Sequence, residues 1–444
     1  MKLTLLTILA SVVVVVYLAG QEFDPAQTAR AAVERLVKGD FAAVVATFDE
    51  KVRALMPEQK LREVWALVAS QAGALKEIGE ARVSRKGEYQ IVVLPGEFEN
   101  TKADIQVVFN ASGQISGFNI RPAAVPGSGF TDAPYVARDR FTERQLTVDA
   151  GGWPLAATLS MPNGKGPFAA VLLVHGSGPG DRDQSVGALK PFRDLAHGLA
   201  SRGIAVLRYD KRTRVHAARM KELKTMTVAL EVVDDAVAAT ELLGTMAGVD
   251  PKRVFVAGLS MGGMLAPRIA AASGDTLAGL IVLAGAATPL EQAILNQTRY
   301  LAMLDGSISA EEQKQIDAAE ALVKQVQSVT ATDAPVSVLG ASVPASYFVD
   351  LRGYDPPAAA VKIQKPMLVL QGERDFQVTM EDFARWTAAL GTRQDVTLKS
   401  YPGLNHLFVE GKGQSTPVEY NTPAHASEEV IRDIANWISN GKIS

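Results

Sequence analysis

Ser260 stands in Gly258-Leu259-Ser260-Met261-Gly262, directly after the run Arg253-Val254-Phe255-Val256-Ala257. The run reads as a buried strand, and Gly263-Met264-Leu265-Ala266 reads as the start of a helix. The glycines let the backbone bend tightly enough to push the hydroxyl out of a sheet. Strand, sharp turn with serine, then helix is the arrangement of a nucleophile elbow. A serine hydroxyl is a useful nucleophile only beside a base, and that base needs a third group to fix its tautomer.

Behind such an elbow the partners follow in the order serine, acid, histidine. Of the five histidines, only His406 and His425 come after Ser260; His175, His197 and His216 precede it. His406 lies in Gly403-Leu404-Asn405-His406-Leu407-Phe408, just past the strand-like Val396-Thr397-Leu398-Lys399-Ser400-Tyr401. That puts it on a loop at a strand end, where sites of open sheets gather. His425 follows Thr422-Pro423-Ala424, beside the start of the last helix. Placement favours His406 as base. His197, His216 and His425 read as surface or core residues without a catalytic part. The acid should end the preceding strand. Met367-Leu368-Val369-Leu370-Gln371-Gly372 leads into Glu373-Arg374-Asp375, and Asp375 is assigned the acid. Glu373, which would have to turn inward sooner, is the alternative.

Attack on a carbonyl creates an oxyanion that two N–H donors must meet. One is assigned to the residue after the nucleophile, Met261. The other comes from the loop His175-Gly176-Ser177-Gly178-Pro179-Gly180-Asp181-Arg182-Asp183, with the Ser177 N–H as donor. No Gly-Lys-Ser/Thr follows these glycines, which disfavours a phosphate cradle. His175 precedes the elbow and reads as a structural hydrogen-bonding residue.

Positioning these groups calls for a parallel sheet. Ala169–Val174, Ile204–Tyr209, Val254–Ala257, Leu280–Leu283 and Met367–Leu370 are nearly continuous apolar strands. Helical segments at Phe192–Arg202, Thr227–Leu243 and Met261–Ala272 alternate with them, so the sheet is covered on both faces. An opening hairpin runs through Gln145–Val148 and Leu155–Leu159, around Gly151-Gly152. An insertion at about residues 287–363 interrupts the alternation, helical and charged from Leu290 to about Val326 with a less regular tail running to Gln364. It reads as a cap over the site, or as extra helices packed beside the sheet.

Ahead of this lies a separate pattern. Helical spacing from Pro25 to about Ala69 gives way to period-two runs at Tyr89–Val93, Ala103–Val108 and Ile115–Ile120, with a turn at Asn110-Ala111-Ser112-Gly113. This predicts a small α+β domain at residues 24–121, a linker at 122–140 around Pro126-Gly127-Ser128-Gly129, and a second domain at 141–444. A chain of 444 residues exceeds one ordinary core, in keeping with that division. With 47% hydrophobic and 21% charged residues it is globular. A net charge of -3 offers nothing to nucleic acid. The absence of cysteine excludes disulfides, thiolate catalysis and cysteine-zinc sites. Residues 1–20 read as a secretory signal, with Lys2 before an apolar stretch and small Ala19-Gly20 before Gln21-Glu22. An uncleaved anchor and a buried helix are the other readings; the signal and the anchor both imply export, to a bacterial periplasm or exterior.

Together these residues resemble the bacterial α/β-hydrolase esterases of the serine-aminopeptidase-like and dienelactone-hydrolase-like subgroup. The resemblance runs from about Phe141 to the C-terminus. It rests on His175-Gly176-Ser177-Gly178-Pro179 with Asp181-Arg182-Asp183, on Arg208-Tyr209-Asp210-Lys211-Arg212, and on Gly258-Leu259-Ser260-Met261-Gly262-Gly263. It implies an α/β-hydrolase fold, a mostly parallel sheet with a helical cap. It further implies cleavage of small-molecule carboxylic esters through an acyl-enzyme, with Ser260, Asp375 and His406 at the matching positions. Relatives usually carry a glycine soon after the Asp-Lys-Arg segment, where this chain has Thr213-Arg214-Val215-His216. The front domain resembles modules of unknown role found before such hydrolases.

Two other functions use or abandon the same groups. A peptidase or amidase needs only the same triad plus an acidic anchor for an amine, for which Glu311, Glu312 and Glu320 are candidates. A non-catalytic binding protein would have lost Ser260 or His406, and neither is lost. No His-Glu-x-x-His pair or dinucleotide glycine fingerprint occurs, so no metal or cofactor is expected.

Overall fold

The computed structural model describes residues 23–122, 130–338 and 341–443. The apolar leader at 1–20 and the Pro126–Gly129 part of the linker lie outside the described residues. The chain forms two compact units, Met1–Gly127 and Ser128–Ser444.

In the first unit Asp24 caps α1 (Pro25–Val37), its carboxylate accepting from the Ala26 and Gln27 amides, with Pro25 in the first turn. Three further helices follow: α2 (Phe41–Ala46), α3 (Glu50–Leu55) and α4 (Glu58–Ala72). The strands are β1 (Leu75–Ile78), β2 (Arg82–Lys86), β3 (Tyr89–Phe98), β4 (Lys102–Phe109) and β5 (Ile115–Pro122). All pairings are antiparallel: β3 pairs with β1, β2 and β4, and β4 with β5. Asn110 Oδ1 accepts from the Ser112 and Gln114 amides and Gly113 takes a φ of +74°, which makes the β4–β5 turn. Ala29, Val33 and Leu36 of α1 share a core with Val92, Leu94, Ile105 and Val107. Helical and strand periods thus meet on one apolar surface.

The second unit opens with the hairpin β6 (Phe141–Asp149) and β7 (Pro154–Pro162). Then come β8 (Phe168–Val174), α5 (Pro191–Ala200), β9 (Ala205–Tyr209), the short α6 (Arg212–Val215) and α7 (Ala217–Lys221), and α8 (Asp234–Gly244). The elbow segment is β10 (Val249–Leu259), α9 (Met261–Ser273) and β11 (Gly279–Leu283). The insertion holds α10 (Leu290–Ala302), α11 (Ala310–Ser328), the hairpin β12 (Val336–Val338) with β13 (Ala341–Val343), α12 (Ala345–Leu351) and α13 (Pro356–Val361). The chain closes with β14 (Met367–Gly372), α14 (Met380–Leu390), β15 (Val396–Tyr401) and α15 (Glu428–Asn440).

These strands make one eight-stranded sheet in the order β6-β7-β9-β8-β10-β11-β14-β15. From β9 to β15 neighbours run parallel; β6 and β7 form an antiparallel edge. Side-chain alternation splits the core. Ala170, Leu172 and Val174 of β8 join the cluster containing α8 and α9, while Ala169, Val171 and Leu173 join the one containing α5 and α15. Both faces are buried, which is why the strands read as unbroken apolar runs.

Local differences from the sequence reading lie in one helix start and in the tail of the insertion. The helix expected over 227–243 begins as a π-helical turn at Ala229–Val233 before α8. The tail of the insertion, expected to be irregular, holds a hairpin and two short helices. Pro356 and Pro357 occupy the first turn of α13, where a missing N–H costs nothing, and Asp355 caps it.

Candidate active site

Register brings the assigned residues to one edge. Leu259 of β10 pairs with Leu283 of β11, Leu283 with Leu370 of β14, and Gly372 of β14 with Tyr401 of β15. Ser260 follows β10 immediately, Asp375 lies just beyond β14, and His406 on the loop after β15. All three therefore leave the sheet at its carboxyl edge.

The backbone at the elbow is strained. Ser260 has φ 56° and ψ -115°, a conformation that side-chain-bearing residues rarely adopt. Its N–H donates to Leu283 O at 2.9 Å and its carbonyl accepts from the Met264 amide at 2.8 Å, so both neighbouring elements hold it. A Cβ on Gly258 would collide with the Gly262 carbonyl, and one on Gly262 with the Val174 carbonyl. The glycines serve close backbone approach beneath the serine.

Asp375 is buried and all its oxygen capacity is directed. Oδ1 accepts from the Gln377 and Val378 amides at 2.8 and 3.0 Å; Oδ2 accepts from Gln371 Nε2 at 3.2 Å and His406 Nδ1 at 2.6 Å. A carboxylate only accepts, so the hydrogen sits on Nδ1 and the lone pair of Nε2 is left to take a proton. Glu373 instead lies exposed and accepts from Ser400 Oγ at 2.7 Å.

A second tie joins the acid loop to the base loop, through residues the sequence reading missed. Arg374, beside Asp375, pairs with Glu419, and Glu419 accepts from Asn405 Nδ2 at 3.0 Å, beside His406. The Asn405 carboxamide oxygen also accepts from the Leu407 and Val409 amides, each at 3.1 Å. Burial would raise the Glu419 carboxyl, but the Arg374 and Asn405 hydrogen bonds prevail and lower it.

The loop carrying Ser177 passes against the nucleophile: a Cβ on Gly176 would lie 3.3 Å from the Ser260 Cβ. Ser177 itself is exposed. Met261 opens α9, so its N–H has no intrahelical acceptor. His175 is fully buried, with Nε2 2.9 Å from the Asp181 carbonyl and its ring packed on Phe192 and Tyr209. That is the structural role its position suggested. The two charged motifs of the sequence interlock. Arg182 grips Asp210 through its backbone N–H, Nε and Nη2 at 2.8–3.1 Å, and Asp183 pairs with Arg208. Complementary charge in two short motifs was the available signal, and without a fold nothing said that they face each other.

The remaining histidines are engaged elsewhere. His197 bonds Asp132 and Glu143, His216 the Pro154 carbonyl, and His425 Asp194. The candidate amine anchors serve helix α11 and its neighbour. Glu312 completes the Ser309 capping box, Glu311 pairs with Lys314, and Glu320 with Arg299. Among the described residues no group of three His, Asp or Glu side chains could hold a metal ion.

The insertion contacts the acid loop: Tyr300 of α10 stacks on Phe376, centroids 5.2 Å apart, and Gln297 donates to the Gln377 carbonyl. A cavity of about 330 Å³ lies between it and α9, lined among others by Met264, Leu290, Phe348, Leu351, Tyr354 and Arg385. Ser260, Asp375 and His406 do not line it.

This sheet order, with a serine elbow after the fifth strand of the sheet and a histidine–carboxylate pair after its last two, defines an α/β hydrolase. Residues 165–412 match the family described as serine aminopeptidase, S33, and the chain belongs to it. Residues 29–118 match a second family, described as a protein of unknown function (DUF3887). Esterase EstD of Thermotoga maritima is 34% identical over 406 residues, spanning 91% of this chain and 93% of that relative. Among solved structures, the hyperthermophilic esterase from the archaeon Pyrobaculum calidifontis is 17% identical with a TM-score of 0.45, covering 68% of this chain and 87% of that one. Est1E from Butyrivibrio proteoclasticus is 19% identical with a TM-score of 0.40, covering 59% and 90%.

Proposed function

We propose that the protein is a serine esterase that cleaves small carboxylic esters through an acyl-enzyme. The observation that carries this is the buried Asp375–His406 pair at the sheet edge that also presents Ser260 on a strained elbow. His406 Nε2 takes the Ser260 proton as Oγ attacks the ester carbonyl. The Met261 and Ser177 amides receive the oxyanion. His406⁺, stabilised by Asp375, then protonates the leaving alcohol. Water, deprotonated by the same imidazole, releases the acid and restores Ser260. The name of the relative EstD supports an ester over an amide. So does the engagement of Glu311, Glu312 and Glu320 with partners in the insertion, which leaves the amine-anchor reading without support. The leader at 1–20 supports an exported protein. Among the described residues no helix is long and apolar enough to cross a membrane.

The test is a panel of aryl esters of increasing acyl length on wild type and Ser260→Ala, with aminoacyl amides alongside. Turnover should be strongest on short acyl esters, weak on amides, and lost in Ser260→Ala along with fluorophosphonate labelling. Undiminished hydrolysis by Ser260→Ala would remove the mechanism.

A further inference from the structure

Lys211 is an ammonium sealed inside the protein, 2% exposed, and the triad makes no use of it. A buried charge is costly unless every contact around it is made, so its contacts are informative. Its Nζ donates to the Gly176 carbonyl at 3.0 Å and pairs with Glu231 Oε1 at 2.8 Å. Its backbone N–H donates to the Gly180 carbonyl at 3.1 Å. One residue thus clamps both ends of the Gly176–Gly180 loop.

The Gly176 carbonyl and the Ser177 N–H belong to one planar trans peptide and point in opposite directions. Fixing the carbonyl on Lys211 therefore fixes the direction of the candidate oxyanion donor. A cation at that carbonyl also polarises the peptide, which strengthens its N–H as a donor. The other arm leads to the side chain of Met261, the residue that carries the second donor. Glu231 Oε2 accepts from the Tyr347 hydroxyl at 2.7 Å, and that hydroxyl lies 3.8 Å from Sδ of Met261. Glu231, Tyr347 and Met261 are all buried. The chain Ser177 peptide, Lys211, Glu231, Tyr347, Met261 side chain therefore links the two residues whose amides are assigned to the oxyanion.

Tyr347 belongs to the insertion, on α12. That helix is seated independently. Ser346 Oγ lies 2.9 Å from both the N–H and the carbonyl of Met226, and Asp350 accepts from the Val228 amide and from Arg268. The geometry points to Lys211, Glu231 and Tyr347 as positioning residues that set the oxyanion hole and couple it to the seating of the insertion. The inference rests on the esterase reading above and assigns the buried ion pair a part in it.

Such a device acts on the tetrahedral species and leaves ground-state binding alone. Removing one oxyanion donor outright lowers kcat by roughly 100- to 1000-fold, so loosening one should lower it by about 10-fold or more. The experiment uses the full chain, with Tyr347→Phe and Lys211→Met, and Glu231→Gln as a third variant. It measures kcat and KM on a short aryl ester and affinity for an aryl trifluoromethyl ketone, which forms a tetrahedral adduct on the serine. Expected are a fall in kcat of about 10-fold with KM unchanged, and a parallel loss of ketone affinity. Tyr347→Phe is the variant least disturbing to packing, so it decides the outcome if Lys211→Met does not fold. A lowered melting temperature with kcat and ketone affinity intact would make the network structural only and overturn the inference. Retained turnover in Ser260→Ala would instead sink the esterase reading, and this inference with it.

Discussion

Asp375 Oδ2 lies 2.6 Å from His406 Nδ1, and both groups are buried. Asp375→Asn keeps the shape but offers an amide in place of a carboxylate, so the imidazolium loses its partner and the tautomer is no longer fixed. The expected fall in kcat is about 10⁴-fold, with KM little changed. Glu373→Gln disturbs only the exposed bond from Ser400 and should leave kcat near wild type. Steady-state kinetics on the two variants separate the two carboxylates; equal losses would refute the assignment.

Arg374, Glu419 and Asn405 tie the loop of the acid to the loop of the base. Glu419→Ala strips Arg374 of its carboxylate, leaving it only the Gly413 and Lys412 carbonyls, takes the acceptor from Asn405 Nδ2, and lets His406 drift from its register. A misplacement of about 1 Å in a reacting group can cost roughly 100-fold, so a kcat loss of about 10- to 100-fold is expected. The activity should fall more steeply than the melting temperature. A drop in stability with unchanged kcat would mean the tie is not used to aim the base.

The architecture was readable because it leaves strong local marks. Parallel strands buried on both faces give apolar runs, and the elbow at Ser260 needs glycines that stand out in sequence. His406 and Asp375 were legible from position, since each follows a strand that must end at the same edge. The contacts around them were not. Whether Arg182 meets Asp210 or another acid, or whether Lys211 is sealed in or solvated, depends on packing between segments separated along the chain. Lys211 in particular carries no sequence sign of burial; a lysine beside an aspartate and an arginine reads as a surface charge cluster. The short helices of the insertion escaped for a related reason: their starts are proline and aspartate signals that also mark loops.

The close approach at the elbow makes two glycine substitutions diverge. An alanine methyl at Gly262 would sit against the Val174 and His175 carbonyls at the end of β8, backbone that cannot move aside without shifting the sheet. Gly262→Ala should lower unfolding free energy by roughly 2–4 kcal/mol and abolish fluorophosphonate labelling of Ser260. Gly244, at the end of α8, has open space where its Cβ would stand and does not have a positive φ. Gly244→Ala should be neutral or stabilising by up to about 1 kcal/mol. Urea denaturation of the two variants checks both; a neutral Gly262→Ala would contradict the packing described beneath Ser260.

His175 gives the hydrolase unit a defined acid weakness. Burial pushes its imidazole down to about 4, and the nearby Lys211 charge adds to this. The Asp181 carbonyl bond and the Asp181 and Asp210 carboxylates act in the opposite direction. The folded value lies below the ordinary 6.5, so the unfolded chain binds a proton that the folded one refuses. The resulting stability is whole above about pH 6.5 and is lost as pH falls toward 4. Carboxylates contribute their own losses at the lower end, so the diagnostic is a difference between proteins. His175→Gln retains a donor for the Asp181 carbonyl and cannot titrate. It should be less stable than wild type at pH 7, yet lose less between pH 6.5 and 4.5. Urea midpoints at those pH values decide it. Parallel curves for the two proteins would show that protonation of His175 is not what acid acts upon.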